Sequence, residues 1–408
     1  MDKNRKILIG LSIAAFVVFI AYIMITTPRL NLLDDVRTDK LISMKNMRVV
    51  GWDGGKKSFE LIAGKGWTNR DQSKSEIEDI TDGTVYKDKE IVMKELKAKT
   101  AKVESYKHET EIFGGTKESE AITVLVDMKG AMSEESLSKP KKRTFTRVRS
   151  SYLKYNSDTK KTEAESIEAI DKKFTLISGR SILDHDKKSA LFWIYPKLTS
   201  GTYLIYGQTI EVFFKEDKAK VTGEAKFLIF EKKKKTTDIS CNTIDFSIED
   251  HNAQMHDKVK VVQKGKTAFS DQLSYVDKTK TATLFGRVKA FFKKGGDLIK
   301  EERLVKLRSK EAKEAAKEAT VLTCSSLDIS TKTGDAAASG NVEVFQNKKQ
   351  AKADHAIYDD NKEIITLTGN VFIKKTDEWI KTKKLIVSLK KETFEAFGSV
   401  ETMFKMKK

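Results

Sequence analysis

Gly340-Asn341-Val342, Gly369-Asn370-Val371 and Gly398-Ser399-Val400 recur every 29 residues, and this repeat decides how the second half of the chain folds. Two fainter copies lie upstream, at Gly286-Arg287-Val288 and Asp257-Lys258-Val259, and they are also 29 residues apart. A fixed period of this length is typical of repeat architectures, in which no unit buries its apolar face without its neighbours. The sequence therefore predicts a stack of similar units.

A longer internal match relates residues that are 83 positions apart and needs no gap between 241 and 288. It pairs Cys241 with Cys324, and Asp271 with Asp354. Between the matched segments lies 298–319, which is rich in Ala, Glu, Lys and Leu and contains neither Gly nor Pro. This composition predicts a short, exposed helix inserted between two repeats.

Within each repeat the apolar residues alternate with polar ones. Leu367, Val371 and Ile373 share one parity, whereas Thr366 and Thr368 have the other. A period of two with one apolar face is typical of a half-buried β-strand. The recurring glycine falls on the apolar parity, which predicts a bend or bulge in the strand. The fold class expected from these patterns is all-β.

The N-terminal segment differs from the rest of the chain. Residues 7–25 contain no charge and are long enough to cross most of a bilayer as a helix, and basic residues precede them. This pattern predicts one transmembrane helix with the N-terminus in the cytosol and the bulk of the chain outside it. A cleaved signal peptide is the alternative, but the apolar run is longer than usual and 26–29 lack a small-residue cleavage motif.

The intervening residues are also β-like. Residues 52–55 (Trp-Asp-Gly-Gly) predict a hairpin turn between 47–51 and 58–63. The basic stretch 136–148 has no periodicity and is interpreted as a loop or boundary, and strand-like runs return over 174–230. The predicted division is a tail and anchor over 1–28, β segments over 29–135 and 136–236, and repeats over 237–408.

Composition excludes several function classes. The formal net charge of +18 favours an anionic partner, although a well-solvated lysine-rich surface explains it equally, and an extracytoplasmic location argues against nucleic acid. Two cysteines and five histidines do not support a disulfide scaffold, a four-cysteine metal site or a histidine-rich metal centre. Common catalytic motifs are absent, so we expect neither an enzyme nor a cofactor nor a metal. Cys241 and Cys324 are expected to be buried free thiols.

These features together resemble the LptC family of lipopolysaccharide-export proteins, joined to LptA/OstA-like C-terminal repeats. The LptC-like part is the anchor followed by Met47–Ala63, and the OstA-like part contains Gly340-Asn341-Val342 and Leu367–Val371. The resemblance implies an elongated, open β-jellyroll whose hydrophobic groove carries lipopolysaccharide through the periplasm. It also implies an inner-membrane ABC transporter as lipid donor, and an LptA-like or outer-membrane bridge protein as a β-edge partner.

The inward parity of the repeats supplies the candidate groove residues. These are Val259, Val261, Leu284, Val288, Phe292, Val342, Val344, Leu367, Val371 and Ile373. The same residues fit the core of a closed sandwich, so the pattern alone does not distinguish the two. Lysines at 232–235 and 139–143 are candidates for contacting anionic head groups, or form solvated loops. A structural envelope scaffold that pairs through sheet edges without carrying lipid is the alternative function.

Overall fold

The computed structural model describes residues 42–127, 145–293, Lys313 and 317–404, apart from gaps at 54, 70–72, 88–89, 116, 157, 232–233, 264, 331 and 389–392. The described residues are almost entirely β-strands, all paired antiparallel in the registers that define the sheet. This confirms the predicted all-β class. Among these residues, no helix is sufficiently long and apolar to span a membrane. The predicted anchor at 7–25 lies outside the described residues, as does nearly all of the predicted helix at 298–319.

The strands are numbered in chain order. The first fourteen are β1 Ile42–Asp53, β2 Lys56–Thr68, β3 Lys74–Lys87, β4 Glu90–Glu104, β5 Glu109–Phe113, β6 Ile122–Val126, β7 Thr146–Ser150, β8 Tyr152–Asn156, β9 Lys161–Ile170, β10 Thr175–Asp184, β11 Ser189–Trp193, β12 Lys197–Ser200, β13 Tyr203–Tyr206 and β14 Thr209–Phe213. The remaining strands are β15 Lys218–Glu231, β16 Lys234–Ser247, β17 Ala253–Gln263, β18 Lys266–Val276, β19 Thr281–Phe292, β20 Thr320–Ser330, β21 Ala336–Gln346, β22 Lys349–Asp359, β23 Ile364–Lys375, β24 Glu378–Ser388, β25 Thr393–Phe397 and β26 Glu401–Met403. Two short 3-10 helices are Ser105–Lys107 and Glu118–Glu120.

The described residues form two compact units. The first lies within Met1–Gly201 and Tyr206–Ala219, and the second comprises Thr202–Ile205 and Lys220–Lys408. In the first unit, β1 to β4 pair in sequence, and the β1–β2 hairpin confirms the turn predicted at 52–55. Beyond β4 the pairing becomes non-local, since β5 pairs with β8 and β6 pairs with β7. Residues 146–148, interpreted from sequence as part of a loop, belong to β7.

The second unit is a regular meander. Strands β16 to β24 each pair with the next in sequence, and β24 then pairs with both β25 and β26. Each repeat also contains a second strand without a bulge, such as β22 and β24. A turn over 277–280 joins β18 to β19, and another over 360–363 joins β22 to β23.

Every second strand of this meander carries a β-bulge. The register slips by one residue at Asp257-Lys258, Gly286-Arg287, Gly340-Asn341 and Gly369-Asn370, and both residues of each pair have a positive φ. Gly398 repeats the conformation between β25 and β26, with a φ of 94°. The recurring glycine is therefore explained by the bulge, because glycine adopts a positive φ without steric cost.

The glycine also has no room for a side chain. A Cβ on Gly369 would lie 2.3 Å from Asp354 Oδ2 on the neighbouring strand, and one on Gly286 would lie 2.6 Å from Asp271 Oδ2. Asp271 and Asp354 are equivalent in the 83-residue match, so the glycine and its opposing residue form one repeated contact.

The bulges divide each strand of the second unit into two arms, and each arm has one row of inward side chains in register. The first arm contains Ile244, Met255, Leu273, Leu284, Leu327, Ala338, Ala356, Leu367, Leu385 and Ala396. The second arm contains Ile239, Val261, Ala268, Ala290, Leu322, Val344, Ala351, Ile373 and Ile380.

A third inward row runs beside the bulges, between the arms, and we call it the spine. Its valines pair with small residues of the next strand: Val259 with Ser270, Val288 with Cys324, Val342 with Ala353, and Val371 with Thr382. All eight side chains are buried. Three of the four valines face a smaller residue, namely Ser270, Cys324 or Ala353, which allows successive strands to pack closely beside the bulges.

Candidate functional site: the cavity between the two arms

The two arms of the second unit line one apolar cavity of about 70 Å³. Val261, Ala268 and Ala290 contribute from the second arm, and Leu284 and Leu327 from the first. None of the spine residues lines it. The inward faces of the two arms therefore face one shared space, on the side away from the bulges.

The structure divides the ten predicted groove residues into two groups. Six of them are buried: Val259, Leu284, Val288, Val342, Leu367 and Val371. Four are partly exposed: Val261, Phe292, Val344 and Ile373. The partly exposed group lies entirely on the second arm, and Val261 and Phe292 also line the cavity. Leu367, Val371 and Ile373 pack together in a separate cluster further along the stack.

The outer end of the second arm is polar where it meets the cavity. Gln263 lines the cavity and donates a hydrogen bond from Nε2 to Thr237 Oγ1, at 2.9 Å. The same bond recurs between Gln346 and Thr320, also at 2.9 Å. Lys266 lines the cavity beside Gln263. The cavity thus has apolar walls and a polar border at this end, which is the arrangement that suits an amphiphilic ligand.

The outer end of the first arm holds a hydrogen-bonded network around Asp277. The Tyr203 hydroxyl and the Lys280 ammonium both donate to the Asp277 carboxylate, and Tyr275 Oη lies 3.2 Å from Tyr203 Oη. Burial acts to raise the pKa of Asp277, but the hydrogen bonds from Lys280 and Tyr203 outweigh it and lower that pKa. Burial, together with the bond to Asp277, raises the pKa of Tyr203 to about 12. Asp277 is therefore an anion at neutral pH and Tyr203 a neutral donor.

Cys241 and Cys324 are both buried and free, which confirms the prediction of unpaired thiols. Burial raises the pKa of each thiol to about 11. Because the thiolate is the reactive form, neither side chain is activated as a nucleophile.

The first unit contains a second apolar cavity, of about 120 Å³, that the sequence did not predict. Met93, Ile112, Leu176 and Phe192 are among its lining residues. Thr110 also lines it, and its Oγ1 atom is buried without a hydrogen-bond partner among the described residues. Strand-like runs over 174–230 were the only signal. They do not reveal a cavity that depends on pairing between distant strands.

Only some of the lysines that the sequence predicted as head-group contacts lie among the residues that the structure describes. Residues 139–143 and 232–233 lie outside the described residues, whereas Lys234 and Lys235 begin β16. Lys235 forms an ion pair with Asp238 at 2.9 Å. In the described part of the chain, no group of three or more His, Cys, Asp or Glu side chains is arranged to hold a metal ion.

Comparisons with known proteins concern the end of the repeat region. Residues 350–408, which contain β23 to β26 and all of β22 but its first residue, match the model of a family described as LptA/(LptD N-terminal domain) LPS transport protein. No curated protein matches the chain in sequence.

Two solved structures give weak overall similarity. LptH from Pseudomonas aeruginosa, the LptA-homologous periplasmic component of a lipopolysaccharide transport device, is 19% identical, with 25% of this chain and 75% of that chain covered and a TM-score of 0.23. The WD40 domain of SCAP from fission yeast is 6% identical, with 91% and 88% covered and a TM-score of 0.13. Neither TM-score supports a shared overall fold. The family similarity of this chain is therefore that of residues 350–408 to the LptA/LptD N-terminal family of lipopolysaccharide transport proteins.

Proposed function

We propose that this protein is a membrane-anchored periplasmic component of a lipopolysaccharide export bridge. It receives lipid from an inner-membrane ABC transporter and passes it along the space between the two arms of the second unit. In this proposal the repeats form an open β-jellyroll, the segment at 7–25 is the inner-membrane anchor, and residues 29–135 are the LptC-like part. The protein acts as a carrier, not as an enzyme.

The family match at residues 350–408 supports this proposal most directly. The sheet of the second unit extends the same repeat back to β16, with bulges in equivalent positions on β17, β19, β21 and β23. Returning a single methylene of an acyl chain to water costs about 0.8 kcal/mol. A continuous apolar row on each arm removes this cost along the path without fixing the lipid at one position.

A matched pair of photocrosslinking sites in the full chain tests the proposal in cells. Val344 is on the inward row of the second arm and partly exposed, whereas the adjacent Phe345 points outward and is 39% exposed. We expect a photoreactive residue at Val344 to form an adduct with lipopolysaccharide, and one at Phe345 to form none. Val371 is fully buried, so a bulky probe there would disturb the packing that it is meant to report.

A structural scaffold is the second candidate, and the end of the sheet favours it. Among the described strands, β25 and β26 pair only with β24, and Phe394, Met403 and Phe404 are 56%, 47% and 59% exposed. An unpaired edge with exposed apolar side chains recruits another strand. A scaffold of this kind would self-associate through the edge and yield no lipid adduct at Val344, and that result would refute the transport proposal.

A further inference from the structure

The outer end of the second arm carries a row of lysines on its inward parity. Continuing the inward row by two residues on each strand leads to Gln263, Lys266, Phe292, Thr320, Gln346, Lys349, Lys375 and Glu378. These residues are neighbours in register: Gln263 with Lys266, Lys266 with Phe292, Phe292 with Thr320, Gln346 with Lys349, Lys349 with Lys375, and Lys375 with Glu378. The hydrogen bond between Gln346 and Thr320 connects the first four residues of this row to the last four. We call this row the basic border.

Further lysines lie next to the basic border. The Lys293 amide donates to the Gly265 carbonyl at 3.0 Å, which places it beside the β17–β18 hairpin. The Lys348 carbonyl accepts from the Thr376 amide at 3.3 Å, which places it beside the β23–β24 turn. Lys349 and Lys375 form no ion pair with any described residue. Their charge is therefore available to a ligand.

The outer end of the first arm has the opposite charge on the same parity. On that parity it carries Asp277, Asp360 and Glu363, with Lys280 as the single described lysine, while the exposed Lys278, Lys332 and Lys362 lie in the adjoining turns. Lys280 is already bound to Asp277, and Asp360 accepts a hydrogen bond from Tyr358 Oη at 3.0 Å. In the 83-residue match Lys266 corresponds to Lys349, but Lys280 corresponds to Glu363. The repeat therefore keeps a lysine at the basic border of the second arm, whereas at the outer end of the first arm a carboxylate takes the place of the lysine.

The cavity connects this charge difference to an apolar site. Lys266 lines the cavity together with Val261 and Leu284, so one cation of the basic border is within reach of a ligand whose apolar part lies between the arms. An anionic head group is attracted to the basic border and repelled by the carboxylates of the other arm.

We infer that the basic border formed by Lys266, Lys349 and Lys375 binds the phosphate groups of an amphiphile whose acyl chains lie between the arms. The lipid is thereby held in one orientation, with its phosphates on the second arm. This inference rests on the proposed lipid-carrying function and adds to it the side on which the head group lies.

Binding of phosphorylated and dephosphorylated lipid A to the purified full chain tests the inference. The probe is a photoreactive residue at Val261, and the yield of lipid adduct is measured at low and high salt. The test variant is K266Q/K349Q/K375Q. Its control is K278Q/K332Q/K362Q, which removes the same charge from exposed lysines at the outer end of the first arm. We expect the test variant to lower the yield with phosphorylated lipid A by about tenfold at low salt, and the control to leave it nearly unchanged. The yield with dephosphorylated lipid should be the same in all three proteins.

The possible outcomes separate the inference from the function on which it rests. If the test variant gives an unchanged yield with phosphorylated lipid, or if the control loses as much yield as the test variant, the basic border does not bind the phosphates. The proposed lipid transport is not affected by that result. An equal loss for both lipids in the test variant also overturns the inference, because the lysines would then act on the fold or the cavity. If the protein with the probe at Val261 and all of its lysines intact forms no adduct with either lipid, both the inference and the proposed function are overturned.

Discussion

Replacing Gly369 with alanine tests whether the bulge holds the second unit together. Gly369 has a φ of 75°, and a residue with a Cβ pays about 1–2 kcal/mol for this conformation. The new Cβ would lie 2.3 Å from Asp354 Oδ2 and 2.8 Å from Asp354 Cβ, so the aspartate has to move. Its hydrogen bond from Asn370 Nδ2, 2.9 Å long, is then lost at a cost of about 1 kcal/mol. We expect Gly369→Ala to lower the free energy of unfolding by about 2–3 kcal/mol.

Trp379 is a suitable reporter for this measurement. It is the one tryptophan of the second unit, lies on β24, and packs against Phe372 of the bulged strand β23, with ring centroids 6.2 Å apart. Urea unfolding is followed by its fluorescence after the other three tryptophans are replaced by phenylalanine. The companion variant is Asp354→Gly, which removes the atoms that the new Cβ would meet. The double variant should lose less stability than the sum of the single variants. A loss below about 1 kcal/mol, or strict additivity, would show that the close contact does not constrain the bulge.

Two further predictions concern buried titratable groups. His185 is buried beside Thr162, and burial lowers its pKa to about 4. As the pH falls, this histidine therefore takes up a proton in the unfolded chain before it does so in the folded protein. The first unit should therefore be fully stable above about pH 6.5 and lose about 3 kcal/mol between pH 6.5 and pH 4. His185→Gln should flatten this dependence in acid unfolding followed by circular dichroism, and an unchanged slope would contradict the assignment. Cys241 and Cys324, with pKa values raised to about 11, should resist an aromatic disulfide reagent at pH 8 in the native protein and react fully in denaturant. Rapid labelling of the native protein would contradict their burial.

The repeats were predictable because their signal is local and periodic. The glycine on the apolar parity predicted the bulge, and even Asp257-Lys258, which lacks glycine, adopts two positive φ angles. The inward side chains of the bulged strands followed from parity, because Leu367, Val371 and Ile373 keep one parity on both sides of the bulge, whereas the inward residues of the partner strand β24 change parity between Leu385 and Ile380. The parity did not distinguish the buried Val371 from the partly exposed Val344, since that difference depends on packing against neighbouring strands.

The first unit was less predictable because its pairing is non-local. β5 pairs with β8 across a connection that includes β6 and β7, and β7 pairs with β9. The sequence of this unit has no repeat from which these strand pairings could be predicted. The 120 Å³ cavity and its buried Thr110 were therefore not predicted. The sequence predicted candidate head-group lysines in dense runs, at 139–143 and 232–235. The basic border instead combines single lysines from separate strands, which only the strand register brings together.

The long connection between β19 and β20 has a consequence for how such a protein changes in length. The two strands pair in the same bulged register as their neighbours, from Thr281 with Ser330 to Phe292 with Thr320, although 27 residues separate them. Extra sequence at a hairpin end therefore leaves the cross-section of the sheet intact. Because each pair of strands brings its own bulge, whole hairpins can be gained or lost in the same way. Each added hairpin would thus lengthen the sheet of the second unit by one step and continue the same two inward rows.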